Sequence, residues 1–280
     1  MRLWLMSDVH LELTKGWDLP PPAQRPDFDV FVMAGDLVPR MERGVRWLAE
    51  RVDKPVVYVP GNHEFYGTDE ARTVEKAMQA AAGTNVHVLQ NRSVTLEDRA
   101  GSVTFAGATT WSDFQLHGDQ RRAMVVAADR MNDFRKIRTD GYRRRFRPSD
   151  ALLRHQQSLA FLEAEMRKPR GEGQRLVAVT HHSPVRAWRR SGEDDSLEPA
   201  FRSDLTWLMR PQPAEEGKGA LRPAELWCFG HTHESYDARV GDTGVAGTRV
   251  VANCKGYGPW PPAEPTWDNP DFDPHLVIEV

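Results

Sequence analysis

The sequence predicts an α/β fold built in layers. Three observations carry that reading: short apolar runs without polar alternation, helical periodicity between them, and enough chain to cover both faces of a sheet. The runs are RLWLM at 2–6, DVFVMA at 29–34, PVVYV at 55–59, RLVAVT at 175–180 and ELWCF at 225–229. Short, Val-rich runs of this kind are strands buried on both faces. Buried helix segments are the competing reading, but 5–6 residues are too few for most helices.

The helices come next. Val45, Leu48, Ala49 and Val52 follow i, i+3, i+4, i+7, which predicts a helix over 43–52. Residues 69–82 begin with acids, run rich in Ala and stop at Gly83, so a second helix is expected there. Residues 119–138 are expected to be helical, with Met124, Ala127, Ala128 and Met131 on one side. Ser149 is the expected N-cap of a long helix carrying Leu152, Leu159, Leu162 and Met166 and ended by Pro169. Strand–helix alternation of this kind gives a layered α/β fold. Further strands are expected at 93–97, 103–108, 234–240, 248–252 and 275–280. The last of these lack helices between them, so a second sheet or an antiparallel extension is expected. Long loops fall at 18–27, 190–199, 211–223 and 257–274, and none marks a break into a second domain. Trp4, Trp47, Trp207 and Trp227 lie in core-like runs, while Trp188, Trp260 and Trp267 lie in loops where they could wall a pocket.

Composition narrows the class. The chain has 280 residues, 40% hydrophobic and 28% charged, with net charge −3. That length is near the upper limit for one hydrophobic core, and the apolar content excludes a disordered polymer. No 18-residue apolar run exists, so a spanning helix is not expected. The N-terminus, MRLWLMSDVHLEL, is broken by Ser7 and Asp8 and does not read as a signal peptide. Cys228 and Cys254 cannot form a disulfide framework, so a cytoplasmic location is expected. The charge is uneven. Residues 121–147 carry ten basic and three acidic side chains, net +7, which leaves −10 for the rest. Three readings of that segment stay open: a solvated helix face balanced by acidic loops, a cap whose Arg side chains grip substrate phosphate, and a nucleic-acid strip.

The chemistry collects at strand ends. The first run leads into Asp8 and His10, the second into Asp36, the third into Asn62 and His63. The late runs lead into His181 with His182, and into His231 with His233. In an α/β sheet ligands gather outside the carboxyl ends of the strands. Each block alone has an ordinary structural explanation: Asp-x-His a turn, His-x-His a sheet edge, Gly61-Asn62 a left-handed turn. Together they are hard to explain that way, because ionisable groups are costly to bury unpaired. Imidazole, carboxylate and amide oxygen are ligands for Zn, Mn or Fe. The donors are too many for one tetrahedral ion and suffice for two sharing a carboxylate. Two such ions, roughly 3.5–4 Å apart, clamp the attacking and leaving oxygens of displacement at phosphorus. His87, His117, His155 and His275 lack such a context and are expected to be surface or structural. No G-x-S-x-G elbow, phosphate-binding G-x-x-x-x-G-K-[ST] loop or G-x-G-x-x-G after a strand is found.

The series Asp8-x-His10, Gly35-Asp36, Gly61-Asn62-His63-Glu64, His181-His182 and Gly230-His231-x-His233 resembles the calcineurin-like metallophosphoesterase family, with all five blocks in the family's order. Length and the segment MNDFRKIR at 131–138 resemble its small bacterial branch. The resemblance implies a β-sandwich core flanked by helices, with a dinuclear site at the carboxyl ends of the strands. It implies one metal on Asp8, His10, Asp36 and His233 and a second on Asp36, Asn62, His181 and His231, with Asp36 bridging. The ions would be two divalent or trivalent transition metals, Mn, Fe or Zn. His63 would not be a ligand but the group beside the leaving oxygen, and His182 would contact substrate or a ligand. The implied activity is hydrolysis of a phosphomonoester or phosphodiester by metal-activated hydroxide attack at phosphorus. The phosphate-ester substrate would be a small molecule or nucleotide. A nuclease, or a metal-stabilised protein binding nucleic acid through 121–147 without turnover, is the alternative. Because the ligands run from 8 to 233, a single domain over 1–280 is expected, with a basic cap-like insertion near 112–148. Neither the substrate-binding residues nor the oligomeric state follows from the sequence.

Overall fold

The computed structural model describes the chain except residue 15 and residues 99–100, 187–194, 242–246 and 259–266. In chain order it forms β1 (Arg2–Met6), β2 (Val30–Met33), α1 (Met41–Arg51), β3 (Val56–Tyr58), α2 (Glu70–Ala81), β4 (Val86–Val88), β5 (Arg92–Asp98) and β6 (Gly101–Ala108). The middle of the chain gives α3 (Gln120–Arg130), α4 (Asp133–Lys136), the small hairpin β7 (Arg138–Thr139) and β8 (Arg144–Arg145), and α5 (Pro148–Arg167). The last part gives β9 (Gln174–Thr180), α6 (Glu198–Phe201), β10 (Leu226–Phe229), β11 (Ser235–Val240), β12 (Thr248–Asn253) and β13 (Val277–Glu279).

Two sheets stack. The first has the order β13-β1-β2-β3-β4 and the second β11-β12-β10-β9-β6-β5. β1 to β4 are parallel, as are β12, β10, β9 and β6; β13, β11 and β5 are antiparallel edges. Alternate residues of each strand explain the layers. Leu3, Leu5, Val30, Val32 and Val57 meet Phe105, Val177, Val179, Leu226 and Cys228 between the sheets. Trp4, Met6, Phe31 and Tyr58 point the other way and pack under α1 and α2. Trp227 and Phe229 face the opposite outer layer with Leu162 and Met166 of α5. Parallel strands covered on both faces need apolar residues at every position, which is why these runs show no alternation. The exposed edge strand β11 does alternate.

Several details differ from expectation. The helix over 119–138 is two: α3 closes at Arg130, Met131 is extended, and α4 restarts at Asp133. The break turns Met131 and Asp133 inward; Ala123 and Ala127 are the buried residues of α3, and Ala128 and Asn132 are exposed. The long helix is capped at Arg147 rather than Ser149, because Pro148 takes the first position, where no N–H is needed. Asp150 supplies the capping carboxylate, accepting from Arg147 N at 2.9 Å. β4 is too short to show a pattern in sequence; pairing with β3 makes it a strand. Trp207 is 38% exposed and not a core residue. Trp188 and Trp260 lie outside the described residues. Trp267 packs on Lys255, with Nζ 4.5 Å from its ring centroid. Among the described residues no helix is long and apolar enough to cross a membrane.

Candidate metal centre

The strands bring their carboxyl ends to one side of the sandwich. β1, β2 and β3 deliver Asp8, His10, Asp36, Asn62 and His63 from the first sheet; β9 and β10 deliver His181, His182, His231 and His233 from the second. The chain must turn sharply to do this. Asp8, His10, Asp36, His231 and His233 all have φ between 50° and 71°. Left-handed conformations in non-glycine residues are costly and gather at functional sites. Gly61 lets the β2 and β3 loops meet: a Cβ there would stand against Asp36 Oδ1 and 2.6 Å from Asp36 N.

Asp36 sits between two groups of donors. His10 Nε2 lies 3.7 Å from its Oδ2 and 3.1 Å from His233 Nε2, and His233 Nε2 lies 3.6 Å from Asp8 Oδ1. On the other side His181 Nε2 lies 3.5 Å from Asp36 Oδ1, 3.0 Å from Asn62 Oδ1 and 3.1 Å from His231 Nδ1. The seven residues expected as ligands therefore lie together, in two groups on either side of Asp36. Asp8, His10 and His181 are wholly buried. Outer partners aim the rings: His181 Nδ1 donates to Ala34 O at 2.9 Å, and His233 Nδ1 faces Asp268 Oδ2 at 3.0 Å. Carbonyl or carboxylate partners of this kind fix the tautomer that leaves Nε2 free to ligate.

The site favours positive charge. Burial alone would raise the Asp36 carboxyl, but His181, His63 and His10 hold it well below its usual range. Burial opposes a charge on His181, yet Asp36 lifts it to about 10. Imidazole nitrogens, two carboxylates and an amide oxygen converge without thiolate, a donor set that fits Zn, Mn or Fe.

His63 is close by but turned aside. Its Nδ1 faces Glu12 Oε1 at 2.8 Å, its ring lies on Tyr66, and its Nε2 is 3.4 Å from the Tyr257 hydroxyl. Burial works against its charge, but Asp36 and Glu12 raise it to about 9. Burial would raise Glu12, but hydrogen bonds to His10 and His63 bring it down to about 2. His182 is outside both donor groups: it contacts Thr109 O at 3.2 Å and packs on the His231 ring, and burial keeps it neutral. His155 is buried against Thr110 O, His87 is half-buried, and His117 and His275 are exposed, as expected. Cys228 and Cys254 are free and buried; burial pushes the Cys228 thiol up to about 12.

A cavity of about 560 Å³ opens over the donors, with Arg130, Met131, Asn132 and Asp133 along one wall. Of the segment 112–148 the residues that line the cavity are 130–133, and among its basic residues only Arg130 does so. Arg144 is paired with Asp150, and Lys136 lies over the Tyr66 ring. A grip of many arginines is not what the fold builds here. Five site residues carried no assignment from sequence: Glu12, Glu64, Asp133, Tyr257 and Asp268. Glu12 had a local signal, two residues beyond His10. Glu64 lies inside the Gly61–Glu64 block; it accepts from Asp36 N, Leu37 N, Gly61 N and Tyr58 Oη at 2.6–3.0 Å. Burial and Asp36 push its carboxyl up to about 7, against the pull of those donors. Asp133 lies inside the segment MNDFRKIR, and Tyr257 and Asp268 have no signal in the sequence.

The chain is similar to known proteins in sequence and in fold. Over 310 aligned positions the chain is 20% identical to an uncharacterized protein, L509, of Acanthamoeba polyphaga mimivirus, covering 98% of this chain and 95% of that one. The fold resembles the crystal structure of a phosphopantetheinyl hydrolase from Mycobacterium tuberculosis, with a TM-score of 0.64, 18% identity, and 91% and 89% of the two chains covered. A sequence model for calcineurin-like phosphoesterases matches residues 1–235, a span holding every donor described above. Motifs, fold and family match agree: the chain is a member of the calcineurin-like phosphoesterase family and, by class, a phosphoester hydrolase.

Proposed function

We propose that this protein is a two-metal phosphoesterase that cleaves a phosphomonoester or phosphodiester. The observation that carries the reading is Asp36, whose two oxygens face two separate donor groups. Asp8, His10 and His233 would hold one ion with Asp36; Asn62, His181 and His231 would hold the other. The ions would be Mn, Fe or Zn. When bound, such ions polarise phosphoryl oxygens and acidify water so that hydroxide is available near neutral pH.

The chain's own groups do the rest. Asp36 keeps the two sites in register. Glu12 holds His63 as imidazolium, with Nε2 on the side of the Tyr257 hydroxyl. From there His63 donates a proton to the departing oxygen, the group most costly to expel. The wall from Arg130 to Asp133 and Tyr66 restricts access, and among the described residues Arg130 and Arg202 are the arginines that line the cavity. We read residues 1–280 as one functional unit, with the insertion as its wall.

Metal analysis of the purified protein, with a panel of monoesters, diesters, cyclic nucleotides, a phosphopantetheinyl ester and single- and double-stranded DNA, tests this. Two metals per chain and metal-dependent turnover are expected. His63→Ala should keep both metals and lose about 10²–10⁴ in rate. Asp36→Ala should lose metal and activity together; full activity in that variant would end the two-metal reading. Salt-sensitive DNA binding without turnover of any ester would favour a binding protein instead.

A further inference from the structure

The insertion places one carboxylate at the base of the site. Asp133 opens α4 and is 1% exposed. Its Oδ1 accepts from Asn62 Nδ2 at 2.9 Å and from the Tyr66 hydroxyl at 2.6 Å. The two oxygens of Asp133 are therefore not equivalent. Oδ1 takes both donors, while Oδ2 is buried with no hydrogen-bond partner among the described residues. A proton on Asp133 would sit on Oδ2, so Oδ1 is an acceptor in either protonation state.

That acceptor decides which way the Asn62 amide points. An amide carries an acceptor on one side and donors on the other. Facing an acceptor, Asn62 must turn its nitrogen to Asp133 and its oxygen away. The oxygen then lies 3.0 Å from His181 Nε2, inside the group that includes Asp36 and His231. The other neighbour does not enforce this. The Tyr66 hydroxyl accepts from Asn62 Nδ2 at 3.3 Å and, without Asp133, could as well donate to a flipped amide. A flipped Asn62 would present two N–H donors where a cation needs an oxygen.

We infer that Asp133 is a positioning residue of the metal centre, supplied by the insertion, which locks the Asn62 amide with its oxygen toward the second ion. The inference rests on the two-metal reading. It gives the insertion a role beyond walling the cavity: α4 completes a site whose ligands all come from the two sheets and their loops.

The test is metal binding to the metal-free full-length protein, measured by titration calorimetry with Mn²⁺. Wild type should bind two ions. Asp133→Ala should weaken one of the two by about 10–100-fold, the usual loss when a ligand's outer partner is removed. Asp133→Leu, which keeps the volume and removes the acceptor, should do the same and covers any packing defect in the Ala variant. Asp133→Asn retains an acceptor oxygen for both donors and should bind within a few-fold of wild type. In an Asn62→Ala background, Asp133→Ala should cause no further loss. Wild-type uptake of two ions with unchanged affinities in the Ala and Leu variants would overturn the inference alone. So would an equal loss in Asp133→Asn, or an undiminished loss in the Asn62→Ala background. Failure of wild type to take up any metal would overturn the two-metal reading beneath it.

Discussion

Glu64 joins three segments of the site through four hydrogen bonds, and its replacement has a calculable cost. Oε2 accepts from Asp36 N at 3.0 Å and Gly61 N at 2.8 Å; Oε1 accepts from Leu37 N at 2.7 Å and Tyr58 Oη at 2.6 Å. The side chain is fully buried, so no water replaces a lost partner. Glu64→Gln keeps one oxygen and sets an NH₂ group against two donors. If that group faces Asp36 and Gly61, two backbone N–H groups are orphaned. If it faces Leu37 and Tyr58, the phenol rotates to accept and the Leu37 N–H is the one backbone group orphaned. The second arrangement is cheaper, and one buried unsatisfied donor costs about 1–3 kcal/mol. Glu64→Ala orphans all four donors and should cost about 3–5 kcal/mol, near the upper end for single substitutions. Urea unfolding of the metal-free proteins measures both. The midpoints should fall in the order wild type, Gln, Ala, at unchanged slope. A Gln variant with the wild-type midpoint would refute the claim that these hydrogen bonds hold the β2 and β3 loops together.

Three further outcomes follow from the same geometry. The Glu12–His63 pair should make stability pH-dependent in the metal-free protein. His63, raised to about 9, contributes fully below pH 6.5 and loses its contribution as pH rises through 9; Glu12, lowered to about 2, contributes above pH 4.5 and loses it as pH falls through 2. The destabilisation caused by Glu12→Gln should therefore be largest between pH 4.5 and 6.5 and smaller at pH 10, where the His63 part is gone and the carboxylate part remains; an equal difference at pH 6 and pH 10 would contradict the pairing. Lys255 is buried, and the three N–H groups of its Nζ are shared among Val9 O, Thr14 Oγ1, Gly256 O and Gly258 O at 2.9–3.3 Å. Lys255→Met should lower stability by about 3 kcal/mol, read from urea unfolding followed by tryptophan fluorescence, since Trp267 lies on the ammonium. Gly61→Ala cannot be accommodated beside Asp36, so metal content of the folded variant should drop well below that of wild type.

The sequence alone determined the layers and the donors, because both are local properties. A parallel strand covered on both faces must be apolar throughout, and the runs ending at Asp8, Asp36, Asn62, His181 and His231 show it directly. Donor type and order were legible for the same reason: ligands at strand ends stand next to the runs that deliver them. The cap at Arg147, the short β4 and the break after Arg130 were not legible, since each depends on one proline or on what packs alongside. The tertiary structure alone decided which groups hold the donors in place. Glu12 reaches His63 across 51 residues, Asp133 reaches Asn62 across 71, and Tyr257 reaches His63 across 194. A buried acceptor carries no pattern of its own in sequence. Its partner is fixed by which loops the two sheets bring together, and that is set by packing of the whole sandwich rather than by any neighbouring residue.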